Sequence, residues 1–135
     1  MFSIERHVVG SYRTNCYVLT SAGQAIVIDP GDEGDRLIRE LGEADVSHIV
    51  LTHCHSDHIG AVNELAERYG AIVCVGRDDA VGVADPHLSG FDEEGSDYRV
   101  ERVDRLLDDG DALAWGEDRL EVIATPGHTP GSICL

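Results

Sequence analysis

One short segment, His53-Cys54-His55-Ser56-Asp57-His58, constrains this chain more than any other. It sits where an apolar, strand-like run from His48 to Thr52 gives way to helical spacing from about Asp57 to Tyr69. Three of the chain's seven histidines fall inside it. At this composition an H-x-H-x-D-H pattern would arise by chance with a probability of roughly 0.002, so it calls for a chemical reason. In extended backbone His53 and His55 project to the same side, and two imidazoles so placed can reach one metal ion at about 2.0–2.1 Å. Asp57 and His58 then enter the helix, where the turning backbone directs them beside that pair. Imidazole with carboxylate oxygen suits zinc, iron or manganese. Capping of the helix would account for Asp57 alone and leave three histidines unexplained.

A second candidate ligand is His128, in the turn Pro126-Gly127-His128-Thr129-Pro130-Gly131. Its prolines fix φ and its glycines permit positive φ, so the loop can hold one side chain at a set position beyond a strand end.

Around these segments the periodicity predicts alternating strands and helices. Strands are expected at Ile4 to Val9, Cys16 to Thr20 and Ala25 to Ile28, the last stopped by Asp29-Pro30-Gly31. A helix over about 34–41 places Leu37, Ile38 and Leu41 on one face. The helix from Asp57 carries Ile59, Val62, Leu65, Ala66 and Tyr69 at helical spacing and ends at Gly70, ahead of a strand from Ala71 to Val75. Residues 77–104 read as a short helix and a polar surface loop. A hairpin is expected over 111–124 and a last strand over 132–135. The order strand, helix, strand, helix, strand is that of a layered α/β sheet.

Composition narrows the function classes. Among 135 residues, 26 acidic side chains face ten basic ones, all of them Arg, for a net charge of -16. Such a chain repels nucleic acid and anionic membrane surfaces. Its apolar runs are too short to span a bilayer, and the N-terminus lacks a signal-peptide layout, so a cytoplasmic location is expected. An acidic surface without Lys also fits a salt-rich cytoplasm, where the Debye length falls to about 3 Å at 1 M and self-repulsion fades. Four scattered cysteines suggest reduced thiols, mostly buried, and neither a disulfide framework nor a zinc ribbon.

Taken together, the H-x-H-x-D-H segment, the Asp29-Pro30-Gly31 strand end and the P-G-H-T-P-G-S loop at 126–132 resemble the metallo-β-lactamase superfamily. Asn15-Cys16-Tyr17 and the wording of the His128 loop are similar to its glyoxalase II-like branch. The resemblance implies an αββα sandwich of two αβ halves, of which residues 1–135 would hold the first half and part of the second sheet as one incomplete domain. It places a first metal site on His53, His55 and His128 and a second on Asp57 and His58, with two Zn2+ per complete site and iron or manganese as alternatives. Asp57 would also orient or relay a proton. Asp29 would support the metal loop from behind, while His7, His48 and His87 match no ligand position. The family's bridging Asp and last His would fall beyond Leu135. The implied activity is hydrolysis of a small acyl thioester or ester by a metal-activated hydroxide. An iron-dependent persulfide dioxygenase and a metal-binding remnant without turnover are the alternatives. The expected partner is a small-molecule substrate, with a homo-oligomer as one way to cover exposed sheet.

Overall fold

Val and Ile dominate the segments that pair, and in the computed structural model, which describes residues 2–135, six of them form one mixed sheet in the order β1-β2-β3-β4-β5-β6. These are β1 (Ser3–Val9), β2 (Thr14–Ser21), β3 (Gln24–Ile28), β4 (Asp45–Leu51), β5 (Ile72–Gly76) and β6 (Arg105–Leu107). The first three run antiparallel, and β3 through β6 run parallel. The uninterrupted apolar runs of β3, β4 and β5 reflect burial on both faces, as expected where a parallel sheet is covered twice.

Successive side chains alternate between the two covers. Val27, Ile49, Leu51, Val73 and Val75 pack beneath α1 (Gly34–Leu41) and, after the short α2 (Ser56–Ile59), beneath α3 (Val62–Tyr69), which contribute Leu37, Val62 and Leu65. Ile26, Ile28, Val50 and Cys74 face the opposite way. They meet residues beyond two further short helices, α4 (Ala80–Val83) and α5 (Pro86–Ser89): Leu113 and Trp115 of the β7 (Ala112–Trp115) and β8 (Asp118–Glu121) hairpin, Val122, and Ile133. A last pair, β9 (Ile123–Ala124) and β10 (Ile133–Cys134), flanks the His128 turn. No helix among the described residues is long and apolar enough to cross a membrane.

Three expectations change. The single helix over 57–69 is two helices, because the N–H groups of Gly60 and Ala61 leave the helical ladder and donate to the carbonyls of Gly31 and Pro30 at 3.0 and 2.9 Å. Gly31 permits this approach, since a Cβ there would collide with the Asp57 carbonyl. The second strand of the expected hairpin divides at Val122, its final residues pairing with β10 instead of β7. Residues 77–104 hold two helices and 3-10 turns, and directly after them β6 extends the sheet by pairing with Cys74 to Gly76.

Candidate metal centre

The parallel strands β3, β4 and β5 deliver their carboxyl ends side by side, the edge at which open α/β sheets present their ligand crevices. Asp29 follows β3, Thr52 and His53 follow β4, and Asp79 follows β5. Asp29 is 4% exposed and takes a left-handed conformation (φ 55°) that turns its carboxylate back toward β4. Its Oδ1 accepts from the Thr52 N–H at 2.8 Å, and its Oδ2 accepts from the Thr52 hydroxyl at 2.5 Å and lies 2.9 Å from His58 Nδ1. These contacts fix proton positions. The one hydroxyl proton of Thr52 is spent on Asp29, so Thr52 Oγ1 can only accept from His53 Nδ1, 3.0 Å away. His53 therefore carries its proton on Nδ1 and presents Nε2 as a lone pair. His58 likewise donates from Nδ1 to Asp29. A carboxylate or hydroxyl fixing the tautomer of a histidine from behind is the usual support of a metal ligand.

Opposite this array, His55 is still extended (φ -67°, ψ 146°) before α2 begins, so His53 and His55 point the same way. The His128 turn closes the third side. Ring centroids lie 5.0 Å apart for His53 and His55, 5.0 Å for His53 and His128, and 4.5 Å for His55 and His128. One nitrogen of each lies within 4.8 Å of the others. Rings meeting edge to face with three nitrogens converging leave a space that a tetrahedral N-donor site fits. Asp29, His53 and His58 form a second close group, although the Asp29 oxygens are already engaged. Asp57 lies beside it. Its Oδ2 accepts from the buried Thr14 hydroxyl at 2.9 Å and sits 3.4 Å from His58 Nε2.

The three histidines that match no ligand position lie elsewhere. His7 contacts Glu40 at 2.7 Å, His48 contacts the Ser47 hydroxyl at 2.8 Å, and His87 contacts Asp92 at 2.9 Å. One residue escaped sequence reasoning. Asp79, 1% exposed, lies between the two loops that bring the histidines together. Its only signal in the sequence is an acidic residue three positions beyond a buried strand.

Burial, reinforced by the nearby His58, pushes the His53 imidazole down to about 4. For His58 burial also acts downward, but the hydrogen bond and charge of Asp29, together with Asp57, outweigh it and hold the ring above its ordinary value. These shifts have opposite consequences. His53 resists protonation in the folded state, so stability is lost as pH falls from 6.5 toward 4. The raised value of His58 adds stability that is fully present below 6.5 and is lost as pH rises through its folded value. His53 has the larger shift, so the metal-free protein is expected to lose on the order of 1 kcal/mol between pH 7 and pH 5, after discounting for the half-exposed ring. Urea midpoints at both pH values for wild type and His53→Gln check this; an equal drop in the variant would refute it.

A mixed sheet that gathers imidazoles from two separate loops onto the carboxyl ends of its parallel strands defines a metal-binding α/β protein. Residues 9–135 match the Metallo-beta-lactamase superfamily, and the chain belongs to that superfamily. Its similarity to the "Probable metallo-hydrolase YqgX" of Bacillus subtilis is 36% identity over 132 residues, covering 95% of this chain and 62% of that protein. With the "Hydroxyacylglutathione hydrolase GloC" of Haemophilus influenzae it shares 30% identity over 141 residues, 97% of this chain and 64% of the relative. Among solved structures it is similar to the BLEG-1 B3 metallo-beta-lactamase, with a TM-score of 0.89, 32% identity, and coverage of 97% of this chain and 65% of the other. The class B3 di-zinc metallo-beta-lactamase LRA-12 from an Alaskan soil metagenome superposes with a TM-score of 0.74 at 32% identity, over 88% and 48% of the two chains. The chain thus spans less than two thirds of the length of these proteins.

Proposed function

We propose that this chain carries the metal-binding portion of a metal-dependent hydrolase acting on a small acyl thioester or ester, in the manner of a hydroxyacylglutathione hydrolase. The observation that carries the proposal is the convergence of His53, His55 and His128 within 4.8 Å, with the lone pair of His53 turned out by Thr52 and Asp29. Zinc is the metal that best suits three imidazoles, and the similarity to the di-zinc metallo-beta-lactamase LRA-12 supports two ions per complete site, with iron or manganese as alternatives. His53, His55 and His128 would hold the first ion, and His58 with Asp57 the second. A bound zinc ion supplies a Lewis acid and a nucleophile available at neutral pH.

The chain's own side chains do the rest. Thr52 and Asp29 keep the His53 proton on Nδ1, and Asp29 holds His58 in place. Asp57, anchored by Thr14, is assigned the handling of a proton near His58 Nε2. Beside His55 and His128 a cleft lined by Val81, Leu88 and Pro130 offers an apolar wall to an acyl group. The -16 charge supports a small-molecule substrate in place of nucleic acid or a membrane surface, and a cytoplasmic, salt-tolerant protein that can pair with a second copy is part of the same proposal.

The test is metal dependence. Hydrolysis of a hydroxyacylglutathione thioester is expected to fall more than about 100-fold after dialysis against a chelator and to return with zinc. Oxygen uptake on glutathione persulfide with bound iron would replace the hydrolase by a dioxygenase, and tight zinc binding without turnover would leave a metal-binding remnant.

A further inference from the structure

We infer that Asp79 is a positioning residue that carries His128 to the His53–His55 pair, and so sets how tightly the centre holds zinc; the inference rests on the reading of those three histidines as one metal site. Asp79 follows β5 and is buried, which is costly for a carboxylate unless donors surround it. Three donors do. Its Oδ2 accepts from the Cys54 N–H at 2.9 Å and from the Thr129 hydroxyl at 2.6 Å, and its Oδ1 accepts from the Gly131 N–H at 2.8 Å. Cys54 lies between two of the ligand histidines, and Thr129 directly follows the third. A single side chain thus ties both ligand-bearing loops at positions adjacent to the imidazoles.

The surroundings are shaped for this contact. A Cβ on Gly131 would strike the Asp79 backbone nitrogen, so only glycine lets the turn descend onto the carboxylate. Because Thr129 gives its one hydroxyl proton to Asp79, the 2.6 Å contact between Thr129 Oγ1 and Ser132 Oγ must be donated by Ser132. Ser132 Oγ in turn accepts from the Thr129 N–H at 3.1 Å, which closes the turn on itself. Among the described residues, the other hydrogen bond between this loop and the segment after β4 is backbone only, the Ile133 N–H to the Thr52 carbonyl at 2.9 Å. That bond holds the strand after the turn; the turn's own bonds, such as the Gly127 N–H to the Thr129 carbonyl at 3.1 Å, shape it internally, and the Asp79 cluster is what ties residue 129 to the His53–His55 segment. Asparagine cannot replace the carboxylate, since its NH2 would face a donor whichever way it turned.

A double-mutant cycle on zinc affinity tests the inference, with affinity read by competition against a chromophoric chelator in the full chain. Asp79→Asn is expected to weaken zinc binding about 10–100-fold in the wild-type background and less than about threefold in the His128→Ala background, because the carboxylate acts through that imidazole. A merely structural role would cost the same factor in both backgrounds and would overturn the inference. So would an unchanged affinity of Asp79→Asn beside a weakened His128→Ala. Should His128→Ala bind zinc as well as wild type, the metal site itself is misread and the role of Asp79 falls with it. If Asp79→Asn does not fold, Thr129→Val, which removes one of the three bonds and leaves the charge, takes its place in the same cycle with the same two outcomes.

Discussion

An Asp29→Asn protein is expected to bind zinc about 10–100-fold more weakly than wild type although no imidazole has been removed. The backbone is not the cause, because asparagine tolerates the left-handed conformation that residue 29 adopts. The cause is proton bookkeeping. Asp29 receives the Thr52 N–H, the Thr52 hydroxyl and His58 Nδ1, and a carboxamide has one oxygen for these three. One flip sets its NH2 against the Thr52 N–H; the other sets it against Thr52 Oγ1 and His58 Nδ1, which must then turn from donors into acceptors, so the protons on both are displaced. Once the Thr52 hydroxyl is free to turn, it no longer obliges His53 to keep its proton on Nδ1, and the lone pair on Nε2 is offered only part of the time. Chelator competition gives the affinity, and circular dichroism reports whether the fold is kept. A folded variant with unchanged affinity would show that the tautomer of His53 is set by some other contact.

Trp115→Ala is expected to be the most damaging single change to stability, at about 3–5 kcal/mol. The ring is 2% exposed, packs 5.3 Å from Phe2, and donates from Nε1 to the Leu19 carbonyl at 3.1 Å. With Leu113 and Val122 it covers the face of the sheet formed by Ile26, Ile28 and Val50. Against a total stability of about 5–15 kcal/mol, this loss takes the protein close to its limit. Trp115→Phe keeps most of the apolar contact and gives up the hydrogen bond, so it should cost about 1–3 kcal/mol. Urea denaturation measures both, and an alanine variant as stable as wild type would mean that the β7–β8 hairpin contributes nothing to that face.

The contrast between these two sites and the rest of the chain shows what can be read from a linear sequence. The strands β3, β4 and β5 were visible because burial on both faces writes an unbroken apolar run, a signal held within four or five residues. His53, His55, Asp57 and His58 stood out because their H-x-H-x-D-H spacing is local as well. The membership of His128 was visible only through the rigid wording of its turn and the resemblance of the whole pattern to a family. Contacts made at a distance left no such trace. Arg105 to Leu107 is a strand because the edge of β5 lies open to it, and three residues carry too little periodicity to announce that. The break in the helix at Gly60 is made by the carbonyls of Pro30 and Gly31, about thirty residues earlier in the chain. Asp79 reads as one more acid in an acidic stretch until its donors, at positions 54, 129 and 131, are brought around it.

The separation of the ligands along the chain gives the centre a mechanical meaning. The His128 turn is flanked by the β9–β10 ladder of two residue pairs, one of the smallest in the molecule, while His53 and His55 follow β4, an interior strand whose last three residues are buried. An ion shared by the two would be a cross-link across a long loop of chain that exists only while the chain is folded, so its binding free energy would add to that of folding. A ligand present at a hundred times its dissociation constant adds about 2.7 kcal/mol to the stability of the state that binds it. Metal supply would then govern the lifetime of the folded chain as well as its chemistry, and a cell short of the ion would lose the protein to unfolding and proteolysis along with its activity.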